Sequence, residues 1–350
     1  MRPVADEPQA AAAIAGTAPL AWSARALASG GQLWRAFGPG PAHGAIQRVY
    51  AAGPPASVLV YCLAPDKMLG WPYELSSAAL AMLPPAQGGL PMVGRLSGRG
   101  STLSQERLLA LRPDLILDVG TVNDNYTSAA VQVAAQTGIR YILMAGDLND
   151  SPEQLRAAGE MLDAQPRAEL LASYARSILD EAAQARSRFA RASSPSVYLA
   201  RSSDGLETGL AGSIHGQAFS MAGARNVAHT PASSGVGRVS MEQLLAWDPD
   251  YVFTQNPAFV QHTRQSPLWM QLRAVKEKRL VLTPMLPFGW VDAPPGINRL
   301  LGLHWLIDIF NTGRPSAQTD DFIVDFFRVF YRIDAPAELL ASARNAQHSP

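Results

Sequence analysis

From about Ile46 onward, short apolar runs alternate with longer stretches whose apolar residues recur every three or four positions. The short runs predict strands at residues 47–50, 58–62, 115–118, 141–144, 197–200, 251–254 and 280–282. The longer stretches predict helices at 104–111, 128–137, 152–162 and 241–247. Strands separated by helices imply an α/β architecture with mainly parallel sheets.

One stretch breaks this rhythm. Between Pro166 and Ala192 there is no internal Gly or Pro, and Leu171, Tyr174, Ile178, Ala182, Ala185 and Phe189 form one amphipathic stripe. Pro166 suits a first helical turn, and Ser193-Ser194-Pro195 closes the helix. Such a rod reaches roughly 40 Å, longer than an ordinary crossover helix. With a strand-and-helix block on either side, it predicts a rigid rod between two α/β lobes. The expected division is a tail or export remnant over 1–45, an N-terminal lobe over 46–165, the helix over 166–194 and a C-terminal lobe over 195–350.

A chain of 350 residues is long enough for two lobes with separate cores. The 47% hydrophobic content excludes disorder across the whole chain. Twenty-nine Lys and Arg balance 29 Asp and Glu, so the bulk charge that holds nucleic acid is missing. The one cysteine, Cys62, sits in an apolar run and reads as a small buried hydrophobe. It can form no internal disulfide or Cys/His zinc site, and the sparing use of thiols suits an oxidising compartment. No stretch approaches the roughly 18 apolar residues of a membrane span. Residues 10–22 make a poor signal-peptide core and Ala26-Leu27-Ala28 resembles a cleavage site, but Asp6 and Glu7 sit where positive charge belongs. No early cysteine offers itself to a lipid anchor.

The two blocks echo each other. Residues 103–117, LSQERLLALRPDLIL, align without gaps on residues 239–253, VSMEQLLAWDPDYVF. In each copy the serine can cap a helix, the glutamate two residues on lies in the first turn, Leu-Leu-Ala is the apolar face, and Pro-Asp turns the chain into a strand. This pattern resembles the lobe signatures of the periplasmic binding proteins for iron–siderophores and cobalamin. The likeness extends from Arg48 to Phe310 through Asp66-Lys67-Met68-Leu69-Gly70-Trp71, Leu90-Pro91-Met92-Val93-Gly94 and Met221-Ala222-Gly223-Ala224-Arg225-Asn226-Val227. The resemblance implies two Rossmann-like lobes joined by a single long backbone helix, a ligand in the cleft between them and little hinge motion. It also implies a periplasmic, monomeric receptor whose partner is an ABC permease dimer in the inner membrane. Glu106 and Glu242 match the family's permease-docking glutamates; first-turn capping is their other reading.

Loops at the carboxyl ends of parallel strands are where open α/β sheets hold ligands. Those loops supply the candidates Trp71, Tyr73, Arg95, Arg99, Asn125, Tyr126, Arg201, His215, Phe288 and Trp290. Aromatic walls suit a bulky, partly apolar chelate, and arginine pairs with catecholate, hydroxamate or carboxylate oxygens. Packing beneath the loops is the competing reading for the aromatics, and an internally bonded histidine for His215. There is no His-Glu-x-x-His, no Gly-x-Ser-x-Gly and no phosphate-cradling loop, so no catalytic residues, no resident metal and no covalently bound cofactor are expected. The expected cargo is a metal chelate, an iron–siderophore first. Cobalamin, haem and nickel or cobalt chelates stay open, as do a two-lobed metalloenzyme and a sensor scaffold that has lost its ligand.

Overall fold

A computed structural model describes residues 32–40, 46–97, 101–189, 194–229 and 235–348. Three sheets organise these residues. The first has the order β1–β4–β3–β2, from Trp34–Phe37 (β1), Val49–Ala51 (β2), Leu115–Gly120 (β3) and Arg140–Ala145 (β4). The second has the order β11–β10–β9–β5–β7. Its strands are Ser196–Ala200 (β5), Arg225–Asn226 (β7), Tyr251–Thr254 (β9), Leu280–Leu282 (β10) and Gln347–His348 (β11). Glu207–Gly209 (β6) and Val236–Arg238 (β8) form a small antiparallel pair. Pairing in the two large sheets is parallel except at one edge of each, where β1 meets β4 and β11 meets β10. The fold is the α/β, two-lobed, mainly parallel architecture read from the chain.

The backbone helix runs over Gln165–Phe189, with Pro166 in its first turn and Leu171, Ile178, Ala182 and Ala185 buried. The expected extension to Ala192 lies outside the described residues. The helix packs on Ser151–Met161 from the N-terminal side and on Arg299–Thr312 from the C-terminal side.

Three sequence expectations need correction. Residues 58–62 are not a strand but part of the helix Pro54–Leu63, buried from Pro55 to Leu63. An element buried on every side shows a continuous apolar run in either conformation, so periodicity cannot separate the two. The available signal was Pro54-Pro55 at the first helical positions. Second, the presumed tail over 1–45 contains β1, which joins the first sheet through β4; the rest of the export-remnant reading lies mostly outside the described residues. Third, the lobes do not have fully separate cores. Alternation along the strands sends Ile116, Tyr141 and Leu143 to one outer core and Tyr198, Val252 and Leu280 to another. Leu115, Leu117, Ile142, Val197, Leu199 and Phe253 point the other way into one continuous core, shared with the backbone helix.

The end of the chain reinforces that shared core. The helix Gln318–Phe326 and the π-helical turn Phe327–Tyr331 cross back to the N-terminal lobe, where Tyr61 Oη donates to Tyr331 O at 2.6 Å. Arg167 at the start of the backbone helix donates to Cys62 O at 3.1 Å and Phe330 O at 3.2 Å. Cys62 is fully buried there, and burial pushes its thiol up to about 12. The thiol therefore stays protonated and packs as a hydrophobe.

Candidate functional site

The parallel strands of both lobes end at a common cleft of about 1290 Å³. Its N-terminal wall comes from the loops after β2, β3 and β4, with Tyr73, Arg95, Ser97, Gly120 to Asn123, Tyr126, Gly146 and Asp147. Its C-terminal wall comes from Arg201, residues 212–215, the β8 hairpin strand and residues 293–295. Local sequence explains several placements. Asn123 caps the helix Asp124–Thr137 by accepting from Tyr126 N at 3.1 Å, which fixes Tyr126 on the first turn at the cleft. Gly146 lies against Gly120: a Cβ on Gly146 would stand 3.0 Å from Gly120 Cα. The two glycines let the ends of β3 and β4 approach closely beneath the cleft.

Asp118, near the end of β3, is a buried carboxylate on the cleft floor. It accepts from Ser97 Oγ at 2.8 Å and Tyr141 Oη at 2.9 Å. Desolvation raises its pKa, and those two bonds with the Val119 amide partly offset the rise. On the opposite wall, Asp292 is 0% exposed and holds Arg201 Nε at 3.0 Å through one oxygen and His215 Nδ1 at 2.6 Å through the other. Tyr126 is raised by burial and by the nearby Asp118.

Behind the cleft a polar clamp joins the lobes. Arg299, 1% exposed, begins the helix Arg299–Thr312 and donates to Gly146 O at 2.7 Å in the N-terminal lobe. In the C-terminal lobe it donates to Ile214 O at 2.5 Å and Gly296 O at 3.0 Å. Gln217 closes the ring, donating to Asp147 Oδ1 at 2.6 Å and accepting from Leu148 N at 2.9 Å. Burial lowers the Arg299 guanidinium to about 10, and Asp292 and Asp147 counter that loss. Lysine presents a single compact ammonium and cannot span these carbonyls. Arg299→Lys is therefore expected to lower the unfolding free energy by about 1–3 kcal/mol, because carbonyls are left unpaired. An unchanged urea midpoint in the variant would show that the clamp adds nothing to stability.

Of the candidates read from the chain, Tyr73, Arg95, Tyr126, Arg201 and His215 come together at the cleft. Asn125 is exposed and does not line it. Arg99 lies outside the described residues. Trp71, Phe288 and Trp290 are corrections: they are 2%, 1% and 0% exposed and belong to the shared core. Trp71 Nε1 donates to Gln87 O at 2.9 Å, and Trp71 and Phe288 pack with Tyr61. Trp290 Nε1 donates to Leu286 O at 2.9 Å, and its ring meets Trp305 edge-on. Gly302 lets this loop lie against its helix, since a Cβ there would fall 1.9 Å from Trp290 O.

Sequence reasoning missed Asp118, Asp292 and Arg299. For Asp118 a signal existed, a lone charge within an otherwise apolar strand. Glu106 and Glu242 are exposed, one on each lobe, and take the second position of helices capped by Ser104 and Ser240. Serine bonding holds the Glu242 carboxyl below its ordinary range. Among the described residues, no group of three or more His, Cys, Asp and Glu side chains is arranged to hold a metal ion. No helix among them is long and apolar enough to cross a membrane.

Residues 95–285 match a family model described as periplasmic binding protein. Among solved structures, the chain is similar to an ABC transporter solute binding protein from Sulfurospirillum deleyianum. The identity is 27% and the TM-score 0.78, with 86% of this chain and 94% of that chain covered. It also shares its fold with a periplasmic solute binding protein from Veillonella parvula, at 22% identity and a TM-score of 0.67, covering 86% of this chain and 92% of that one. A third likeness is to the molybdate periplasmic binding protein of a Haemophilus influenzae ABC transporter. There the identity is 19% and the TM-score 0.62, over 83% of this chain and 94% of that one. No curated protein sequence matches the chain.

Proposed function

The chain belongs to the periplasmic binding protein family, and from that premise we propose that it captures a metal chelate in the periplasm and delivers it to an ABC permease dimer. The chelate we favour is an iron–siderophore. The observation that carries this reading is the interlobe cleft of about 1290 Å³, with arginines on both walls and the Tyr73 and Tyr126 rings at its rim. Drug-sized ligands occupy pockets of about 300–1,000 Å³, so the space suits a bulky chelate better than a bare tetrahedral oxyanion. Arg95 on one wall and Arg201 on the other face the ligand space, where guanidinium groups pair with chelating oxygens. Delivery would run through Glu106 and Glu242, whose positions on separate lobes suit a permease with two matching halves.

Native mass spectra and visible absorption of protein isolated from its host test the cargo. The expected result is a small-molecule adduct carrying a metal isotope pattern and, for a ferric catecholate or hydroxamate, a charge-transfer band. Haem, cobalamin or a nickel or cobalt chelate would each give its own mass and spectrum and replace the siderophore. Calorimetric titration with ferric siderophores, haem, cobalamin and molybdate completes the test. Binding of molybdate alone would refute the chelate reading.

A further inference from the structure

Asp118 stands where the fold calls for an apolar residue. On β3 it pairs with Leu143 of β4, and Ile116, Tyr141 and Leu143 on the same face pack into the outer core of the N-terminal lobe. An aliphatic side chain at 118 would continue that core, whereas a carboxylate taken out of water costs free energy. Asp118 is 3% exposed and lines the cleft with Pro54, Ser97 and Tyr126. Its surroundings suit the ionised form. Ser97 Oγ donates to Oδ1 at 2.8 Å, Tyr141 Oη donates to Oδ2 at 2.9 Å, and the Val119 amide is a third donor. The helix Pro54–Leu63 starts alongside. A Cβ on its N-cap, Gly53, would stand 2.7 Å from Ser97 Oγ and 3.8 Å from Asp118 Oδ1, so the positive end of the helix lies beside the carboxylate. No cationic side chain among the described residues pairs with Asp118, and desolvation outweighs the donors, leaving its pKa raised. The carboxylate is held in place with its charge uncompensated.

We infer that Asp118 is the subsite for a cationic group of the ligand, a protonated amine carried on the chelate. This rests on the chelate reading given above and narrows it to a bipolar cargo, whose metal-binding oxygens meet Arg201 on one wall while its ammonium meets Asp118 on the other. An ionised carboxylate offers about four lone-pair sites, and the three protein donors leave one for an N–H of the ligand. Such a charge-assisted bond supplies the countercharge that the protein withholds. Tyr126 adds an aromatic ring next to the same position. It lines the cleft, and burial and the Asp118 charge together raise the pKa of its hydroxyl. Aromatic rings attract cations, which favours an ammonium over a second neutral donor. A chelate that is neutral or anionic throughout would leave Asp118 desolvated and unpaired when it fills the cleft.

The test uses the whole protein and a matched pair of ferric probes. Ferrioxamine B carries a pendant primary ammonium, and its N-acetyl derivative has the same trihydroxamate iron centre without that charge. In calorimetric titrations near neutral pH, the wild-type protein is expected to bind ferrioxamine B about tenfold or more tightly than the acetylated form, as a hydrogen bond to a charged group implies. In Asp118→Asn that ratio should fall to within about twofold, because the amide keeps the shape and loses the charge, and the Ser97 and Tyr141 hydroxyls can turn to accept from it. Asp118→Leu, which continues the outer core, should fold and lose the preference as well, so the outcome does not depend on the stability of one variant. Equal affinity of the wild type for the two probes, binding of neither, or a preference that survives both substitutions overturns the inference. A host-isolated protein carrying a metal chelate without a basic nitrogen overturns it too, while leaving the receptor reading intact. Failure of the receptor reading itself looks different: no chelate travels with the protein, and molybdate alone binds.

Discussion

Trp71→Ala and Trp290→Ala are each expected to lower the unfolding free energy by about 3–5 kcal/mol, the range for removing a large aromatic side chain from a core. Both rings are buried, and both indole N–H groups already donate to backbone carbonyls, Gln87 O and Leu286 O at 2.9 Å. Trp71 lies in a cluster with Tyr61, Phe288 and Tyr331 that ties the helix Pro54–Leu63 to the end of the chain. Trp290 fills the space between Trp305 and Phe327. Each alanine therefore opens a cavity in the core shared by the two lobes, and relaxation around it is limited because Gly302 already brings Trp290 O against the helix. Ligand affinity, measured well below the unfolding midpoint, should change little. Urea or thermal unfolding together with calorimetric titration separates the two effects. Full stability with affinity reduced tenfold or more would return these tryptophans to the cleft.

The contrast between those rings and Tyr126 shows what a sequence can carry. Trp71 stands in a loop after the helix Pro54–Leu63, Trp290 in a loop after β10 and Tyr126 in the first helical turn after β3, all with small or turn-forming residues nearby. Tyr126 was recoverable because Asn123 three residues earlier marks a helix start, which fixes the side of the turn that faces the ligand space. Trp71 and Trp290 had no comparable marker, since a loop that folds under itself and a loop that faces solvent share the same Gly and Pro punctuation. The long stripe of the backbone helix and the repeated Ser-x-Glu segments were legible because they depend on spacing within one element. The Asp292–His215–Arg201 group and the Arg299 clamp depend instead on partners 77 to 153 positions apart in the chain. Only the packing of the two lobes brings them together. The shared core was hidden for a related reason, because alternation marks two faces on each strand without saying which faces meet across the lobes.

The double variant Glu106→Ala/Glu242→Ala is expected to bind its ligand with unchanged affinity and to lose most uptake, by about tenfold or more if both docking pairs are desolvated at the permease. Neither glutamate lines the cleft, and both are exposed at the first turn of a short helix, one helix on each lobe. The helices themselves keep their caps without the carboxylates. Ser104 accepts from Arg107 N at 3.3 Å, and Ser240 accepts from Gln243 N at 3.2 Å while Gln243 Oε1 accepts from Ser240 N at 2.9 Å. Folding should accordingly survive the substitutions, and a capping role alone predicts no transport defect. Each single variant leaves one lobe anchored and should slow uptake less than the pair does. Transport assayed in cells with matched periplasmic protein levels distinguishes the readings. A double variant that transports at the wild-type rate would confine Glu106 and Glu242 to the helix starts. One that fails to bind ligand would place the defect in the receptor rather than at the permease.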